Sequence, residues 1–375
     1  MITIHAIGDS LVKAYGDDAH NFIGGWGDHL WSFFDINKVQ VKVYAQGGRS
    51  SRSFLNEGRF IDNGNFSAEA FPYLGAACNH IQKGDYVLIQ FSHNDDDSKD
   101  MRTYPDRMTP LGKPDGQGIY PTIVPIESMK ESTEHLPVEY RSLLEREGTP
   151  QQTIETYMKN AATILRNYGK TYWSYGCGAT YKGYLKFYID KIRELGAVPV
   201  IVTAAARQYF ENGKIIPVLG HHGNKDAYGD FPYIRAARQI AQEENVIVLD
   251  LFAKSCALFE SLGESASRYL QSIKDKDGVT IGEANNNRPQ KWVEDYDAYW
   301  ENGSFFEVDN THQNRLGSYL FAAILADSIY EEIPSLKECE LAYSSKEMAC
   351  PKRIKKEITK IENFYKNIHI RLNEM

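Results

Sequence analysis

Five short apolar runs, at 2–7, 39–45, 85–91, 197–203 and 245–250, constrain this chain more than any other feature. Segments with apolar residues at helical spacing lie near 25–34, 67–82, 181–195, 232–244, 252–262 and 314–332, so the two kinds of pattern alternate over much of the length. A short run that is apolar at nearly every position reads as a strand buried on both faces. Strands of that kind, alternating with helices, predict a parallel sheet with helices on both sides. Such sheets bind their ligands at the carboxyl ends of the strands. The residues just past each apolar run are therefore where chemistry is expected.

Gly8-Asp9-Ser10 follows the first run, and Gln46-Gly47-Gly48-Arg49-Ser50 follows the second. Phe91-Ser92-His93-Asn94-Asp95 follows the third, and Asp309-Asn310-Thr311-His312 precedes the last helical pattern. Serine is a poor nucleophile until an imidazole takes its proton, and the imidazole needs an orienting acid. A single Asp-x-x-His segment, read here as a loop, supplies both helpers. The glycine backbone N–H and the Asn94 amide are donors for the negative charge that acyl transfer develops on a carbonyl oxygen.

These four segments, in this order, resemble the blocks of the SGNH (GDSL-type) hydrolases. The stretch Gly48-Arg49-Ser50-Ser51-Arg52-Ser53-Phe54 with Glu57-Gly58-Arg59-Phe60 is similar to the rhamnogalacturonan acetylesterase branch in particular. So are Lys83-Gly84-Asp85-Tyr86-Val87-Leu88-Ile89-Gln90-Phe91 running into His93-Asn94-Asp95, and Asp309 and His312 with Gly317 five residues on. The resemblance implies a three-layer α/β/α sandwich of the flavodoxin-like kind. It implies Ser10 as nucleophile and His312 and Asp309 as base and acid. The Ser10 N–H, the Gly48 N–H and Asn94 would form the oxyanion hole. Ser92 departs from the pattern, since this branch usually carries glycine there. The implied activity is removal of O-acetyl groups from plant-cell-wall oligosaccharides of rhamnogalacturonan or xylan type, with no cofactor and no metal. A lipase, thioesterase or acyltransferase would keep the same site, and a carbohydrate-binding protein with a vestigial site is the reading from another class.

Residues 1–332 form the expected hydrolase domain, with insertions at about 96–180 and 263–306 over the active-site face. Both are aromatic-rich: Tyr104, Tyr120, Tyr172, Trp173, Tyr175 and Tyr181 in or beside one, Trp292, Tyr296, Tyr299 and Trp300 in the other. Most such rings build small satellite cores, but flat faces with polar tips also suit a sugar cleft, with Trp173 and Trp300 as first candidates. Residues 333–375 form an extension in which Ile354, Ile358, Ile361, Phe364, Tyr365 and Ile368 recur at helical spacing. That stripe must pack on its own domain or on a second subunit, so homo-oligomerisation through a C-terminal helix is a candidate role.

With 42% apolar and 25% charged residues the composition is that of an ordinary globular protein. A net charge of −8 argues against nucleic acid as a partner, which demands a concentrated basic surface. No apolar stretch is long enough to span a membrane. Five cysteines at irregular spacing, and a first strand beginning at the N-terminus, suggest reduced thiols and a cytoplasmic location. His221-His222 with Asp226, and His93 with Asp95, Asp96 and Asp97, lack a ligand spacing and read as solvated loop groups. Asp250 reads as the cap of the helix after it.

Overall fold

The computed structural model describes residues 1–16, 23–62, 75–96, 107, 109–125, 145, 150–152, 154–155, 177–218, 221–223, 227, 229, 231–275 and 305–341. All five apolar runs become strands of one parallel sheet: β1 (Ile2–Gly8), β2 (Val39–Val43), β3 (Tyr86–Gln90), β4 (Val198–Val202) and β5 (Ile247–Leu249). Their order is β5-β4-β3-β1-β2. The chain therefore starts near one edge, steps outward once, then crosses over β1 and proceeds to the other edge. That reversal beside β1 is the switch point at which doubly wound sheets open a crevice.

Side chains alternate across the sheet, and each set meets its own helical layer. Ile4, Ala6, Leu88, Val200, Val202 and Leu249 enter one core, and Ile7, Val87, Ile89 and Ile201 enter the other. The first core is closed by α4 (Leu251–Leu262) and α5 (Arg315–Glu332), which contribute Phe252, Phe259, Phe321, Leu325 and Ile329. The second is closed by α1 (Ser51–Asn56), α2 (Tyr181–Glu194) and α3 (Pro232–Glu243). On α2 the buried positions Tyr181, Tyr184, Leu185, Tyr188, Ile189 and Ile192 trace one helical stripe. Asp250 caps α4, its carboxylate accepting from Ala253 N–H as the sequence suggested. The result is the expected three-layer α/β/α sandwich.

Three local expectations change. The helical pattern at 25–34 becomes two 3-10 turns, Trp26–Asp28 and Leu30–Phe33, and within 67–82 the described residues hold only a 3-10 turn at Ala77–Asn79. Apolar spacing alone does not separate a helix from successive tight turns burying the same residues. The segment carrying Asp309 and His312 is not a loop. It is β7 (Phe305–Asn314), paired antiparallel with β6 (Gln271–Asp275) and, at its far end, with the short strand Ile23–Gly24. So the second insertion is partly structural: its first residues supply the partner that straightens the Asp309–His312 segment.

The first insertion returns to the core at Thr109, whose N–H donates to the Asp95 carbonyl, while Tyr233 OH donates to the Thr109 carbonyl. A short antiparallel pair, Ile123–Pro125 with Cys177–Ala179, closes its base. Tyr120 and Tyr181 are buried in the second core itself, so these two rings belong neither to a separate satellite core nor to a cleft. Trp173, Trp300, the other insertion aromatics named above and the stripe at 354–368 lie outside the described residues.

Candidate active site

Ser10 stands two residues beyond β1, in a turn held by Asp9. One Asp9 carboxylate oxygen accepts from Leu11 N–H at 2.9 Å, and the Asp9 carbonyl accepts from Lys13 N–H at 3.1 Å. Ser10 Oγ lies 2.9 Å from His312 Nε2, and His312 Nδ1 lies 2.8 Å from Asp309 Oδ2. The other Asp309 oxygen accepts from the Thr311 N–H at 2.8 Å, which locks the carboxylate plane. Asp309 and Ser10 are buried while the His312 side chain is 20% exposed, so the acid is shielded and the imidazole is the part of the series that reaches solvent. Residues 302 positions apart in the chain thus meet in one hydrogen-bonded series.

The second and third blocks converge on the same place. Gln46–Arg49 is a tight turn, with Arg49 N–H donating to the Gln46 carbonyl. Gly48 occupies its third position at φ +76°, where a side chain is disfavoured. A Cβ on Gly48 would also stand 2.5 Å from Arg107 Nη2, because the first insertion lays the Arg107 guanidinium against this glycine. A Cβ on Gly47 would lie 3.7 Å from the Ser10 Cβ, which puts the turn directly beside the serine. Asn94 donates one amide hydrogen to the Arg49 carbonyl at 3.1 Å, fixing its side chain next to the turn. Asp95 joins the blocks from below: it accepts from the Ser51 N–H and hydroxyl at the start of α1. Burial pushes the Asp95 carboxyl up to about 7, against donors from Ser51 and Thr109 that favour its charged form.

Gly317 follows His312 by five residues for a steric reason. A Cβ there would approach the Leu270 carbonyl to 2.1 Å, so only glycine lets α5 pack against the chain leading into β6. Asn314 caps α5, accepting from Gly317 N–H at 3.0 Å, and the strand passes straight into the helix.

The histidines read as solvated loop groups are in fact buried. His93, His221 and His222 are at most 4% exposed and stack edge-on or tilted, with His93 and His222 centroids 4.6 Å apart. His93 bridges Asp9 (3.1 Å) and the Ala205 carbonyl (3.0 Å). His222 Nε2 also donates to the Ala205 carbonyl, which leaves its Nδ1 to accept from Ser92 Oγ at 2.5 Å. Desolvation lowers the pKa of all three, that of His221 to about 3. Among the described residues no group of these side chains is arranged to hold a metal ion.

This cluster explains Ser92, where glycine is the usual residue. Ser92 is held at φ +138°, a conformation that costs a non-glycine residue about 1–3 kcal/mol. Its hydroxyl is fully buried and bonded to His222, so the side chain points into the floor of the site and not into the space beside Asn94. Sequence reading misses His222, His93 and Arg207 as parts of one assembly. The only signal is an Arg-terminated run of small residues, Ala204-Ala205-Ala206-Arg207, after β4.

No known protein-family profile matches the chain. Among curated proteins, a probable rhamnogalacturonan acetylesterase, YesY of Bacillus subtilis, is 29% identical over 262 residues, 70% of this chain and 75% of its own length. The rhamnogalacturonan acetylesterase RhgT of the same organism is 27% identical over 249 residues, 66% of this chain and 64% of its own length. The chain is thus similar, over about two thirds of its length, to rhamnogalacturonan acetylesterases. Ser10, the Gly48 turn and the Asn94 turn follow the ends of β1, β2 and β3. A solved structure, the YXIM protein of Bacillus subtilis, superposes with a TM-score of 0.46 at 18% identity, covering 88% of this chain and 56% of its own.

Proposed function

We propose that this protein is an SGNH-type serine carboxylic ester hydrolase that removes O-acetyl groups from plant-cell-wall oligosaccharides. The observation that supports it most is the bonded series Ser10 Oγ–His312 Nε2 and His312 Nδ1–Asp309 Oδ2, at 2.9 and 2.8 Å. His312 takes the Ser10 hydroxyl proton as Oγ attacks the acetyl carbonyl, and Asp309 keeps the imidazole in the tautomer whose Nε2 accepts. Charge on the carbonyl oxygen is met by the Ser10 and Gly48 N–H groups and the second hydrogen of the Asn94 amide. Collapse of the tetrahedral intermediate expels the sugar hydroxyl, which receives the proton from His312. Water, deprotonated by His312, then cleaves the acetyl-serine to acetate. The polysaccharide named for YesY and RhgT, rhamnogalacturonan, is the first substrate to offer.

The test is covalent labelling combined with a substrate series. A fluorophosphonate should label the wild type at Ser10 and leave Ser10→Ala unlabelled. Acetate release from acetylated rhamnogalacturonan oligosaccharides, and faster turnover of p-nitrophenyl acetate than octanoate, are expected. Labelling that persists in Ser10→Ala would overturn the nucleophile, and a preference for octanoate would favour the lipase reading of the same site.

A further inference from the structure

The segment past β4 ties the strand that carries Asp309 and His312 to the turn that carries Asn94, and Arg207 is its centre. The side chain is 4% exposed. Its Nη1 donates to Thr311 Oγ1 at 2.7 Å, and its Nη2 donates to the His93 carbonyl at 3.0 Å. Thr311 lies between Asp309 and His312, and its own N–H fixes the Asp309 carboxylate. His93 is the residue before Asn94, so the second contact grips the peptide that carries the Asn94 backbone. Arg207 N–H in turn donates to His221 Nε2 at 2.9 Å, and the neighbouring Gln208 N–H donates to the Asn310 carbonyl at 2.8 Å. Thus the β7 strand, which belongs to a different sheet from β1, is held to the chain past β4 by this planar fork together with the Gln208 N–H.

We propose that Arg207 is a positioning residue that sets the acid–base arm, Asp309–His312, and the oxyanion amide, Asn94, at a fixed separation across Ser10. This rests on the esterase reading. Two features favour a positioning role over simple core filling. A guanidinium spans two acceptors in one rigid plane, where lysine offers a single point of contact. Burying that charge is costly, and an apolar side chain would fill the same space without the cost. The two acceptors it joins are one residue away from His312 and Asn94, and they reach the site from separate blocks of the sequence. Thr311 passes its own hydroxyl hydrogen to Asn310 Oδ1 at 2.9 Å, so its oxygen is oriented to accept from Arg207.

The experiment compares Arg207→Lys, Arg207→Ala and Thr311→Val, each normalised to the fraction of protein that a fluorophosphonate labels. Displacements on the scale of 1 Å at reacting groups cost up to about 100-fold, so kcat for p-nitrophenyl acetate should fall about 10- to 100-fold in Arg207→Ala with KM changing less than about threefold. Arg207→Lys should fall between it and wild type. Because Arg207 and Thr311 act through one contact, the double variant should lose much less than the product of the two single losses. Guanidinium at a non-denaturing concentration should restore part of the Arg207→Ala rate and none of the Asn94→Ala rate. A lowered melting temperature with an unchanged kcat per labelled site would overturn the proposal, as would multiplicative losses in the double variant. Failure of Ser10→Ala to abolish labelling would instead remove the esterase reading, so the two failures are told apart.

Discussion

His221 gives the sharpest quantitative prediction, because its buried ring must stay neutral. Its Nδ1–H donates to the Ile216 carbonyl at 2.9 Å, and its Nε2 accepts from the Arg207 N–H at 2.9 Å. Both nitrogens are engaged in the neutral form, and protonating Nε2 would oppose the Arg207 donor. Desolvation therefore lowers the folded value to about 3, against an ordinary 6.5. A histidine shifted this way contributes stability that is complete above pH 6.5 and is lost as pH falls toward 3. Between pH 7 and pH 5 the unfolded chain takes up the proton and the fold does not, which costs about 2 kcal/mol from this residue alone. His222 and His93 act in the same direction. Asp95 acts oppositely, since its carboxyl is raised to about 7: its contribution is greatest at low pH and fades as pH rises through 7.

His221→Gln isolates the histidine's contribution. Glutamine offers one amide donor and one carbonyl acceptor and does not titrate. Urea unfolding of wild type and variant at pH 7, 6 and 5 gives a difference in which Asp95 and the other histidines cancel. The variant starts lower at pH 7, by whatever the imperfect replacement costs, but its disadvantage should shrink by about 2 kcal/mol by pH 5. A constant difference across that range would refute the neutral buried histidine and, with it, the tautomer assigned from Ile216 and Arg207.

Two further outcomes are expected. Asn94→Ala should reduce kcat by about two to three orders of magnitude, the range for one oxyanion donor, with a smaller change in KM; an unchanged kcat would make Asn94 a structural tie to the Arg49 carbonyl only. Ser92→Ala and Ser92→Gly both remove the bond to His222, but only glycine also releases the φ of +138°. That release, about 1–3 kcal/mol, exceeds the roughly 0.5–1 kcal/mol that glycine loses through its freer unfolded chain, so Ser92→Gly should be the more stable variant by denaturant unfolding. The reverse order would mean that the backbone at position 92 stores less strain than glycine's freer unfolded chain costs.

The parts of this protein that are legible from sequence are those set by local pattern. Each strand of the central sheet carries its own apolar signal, and the residues after β1, β2 and β3 inherit their place at the sheet's carboxyl end from it. The Asp309–His312 strand is not legible as a strand. Asp309-Asn310-Thr311-His312 is polar at every position, and its extended form depends on β6, a partner that lies within what reads as a loop insertion. The histidines mislead for the same reason. Nothing within His221-His222 marks burial, since their partners are the Ile216 and Ala205 carbonyls, the Arg207 N–H and the Ser92 hydroxyl.

Ser92 shows how the two levels interact. A serine where glycine is usual is, in the sequence, only a departure from the pattern, with nothing local to say where its side chain goes. In the fold, its strained backbone directs the hydroxyl away from Asn94 and into the histidine cluster, where it meets the one His222 nitrogen that the Ala205 carbonyl leaves able to accept. The same Ala205 carbonyl accepts from His93, and the His93 carbonyl accepts from Arg207. The departure from glycine is thereby tied to the residues that fix His312 and Asn94. A glycine restored at position 92 should relieve local strain yet loosen His222 against the chain that carries Arg207, so a Ser92→Gly enzyme that is more stable than Ser92→Ala need not be faster than wild type.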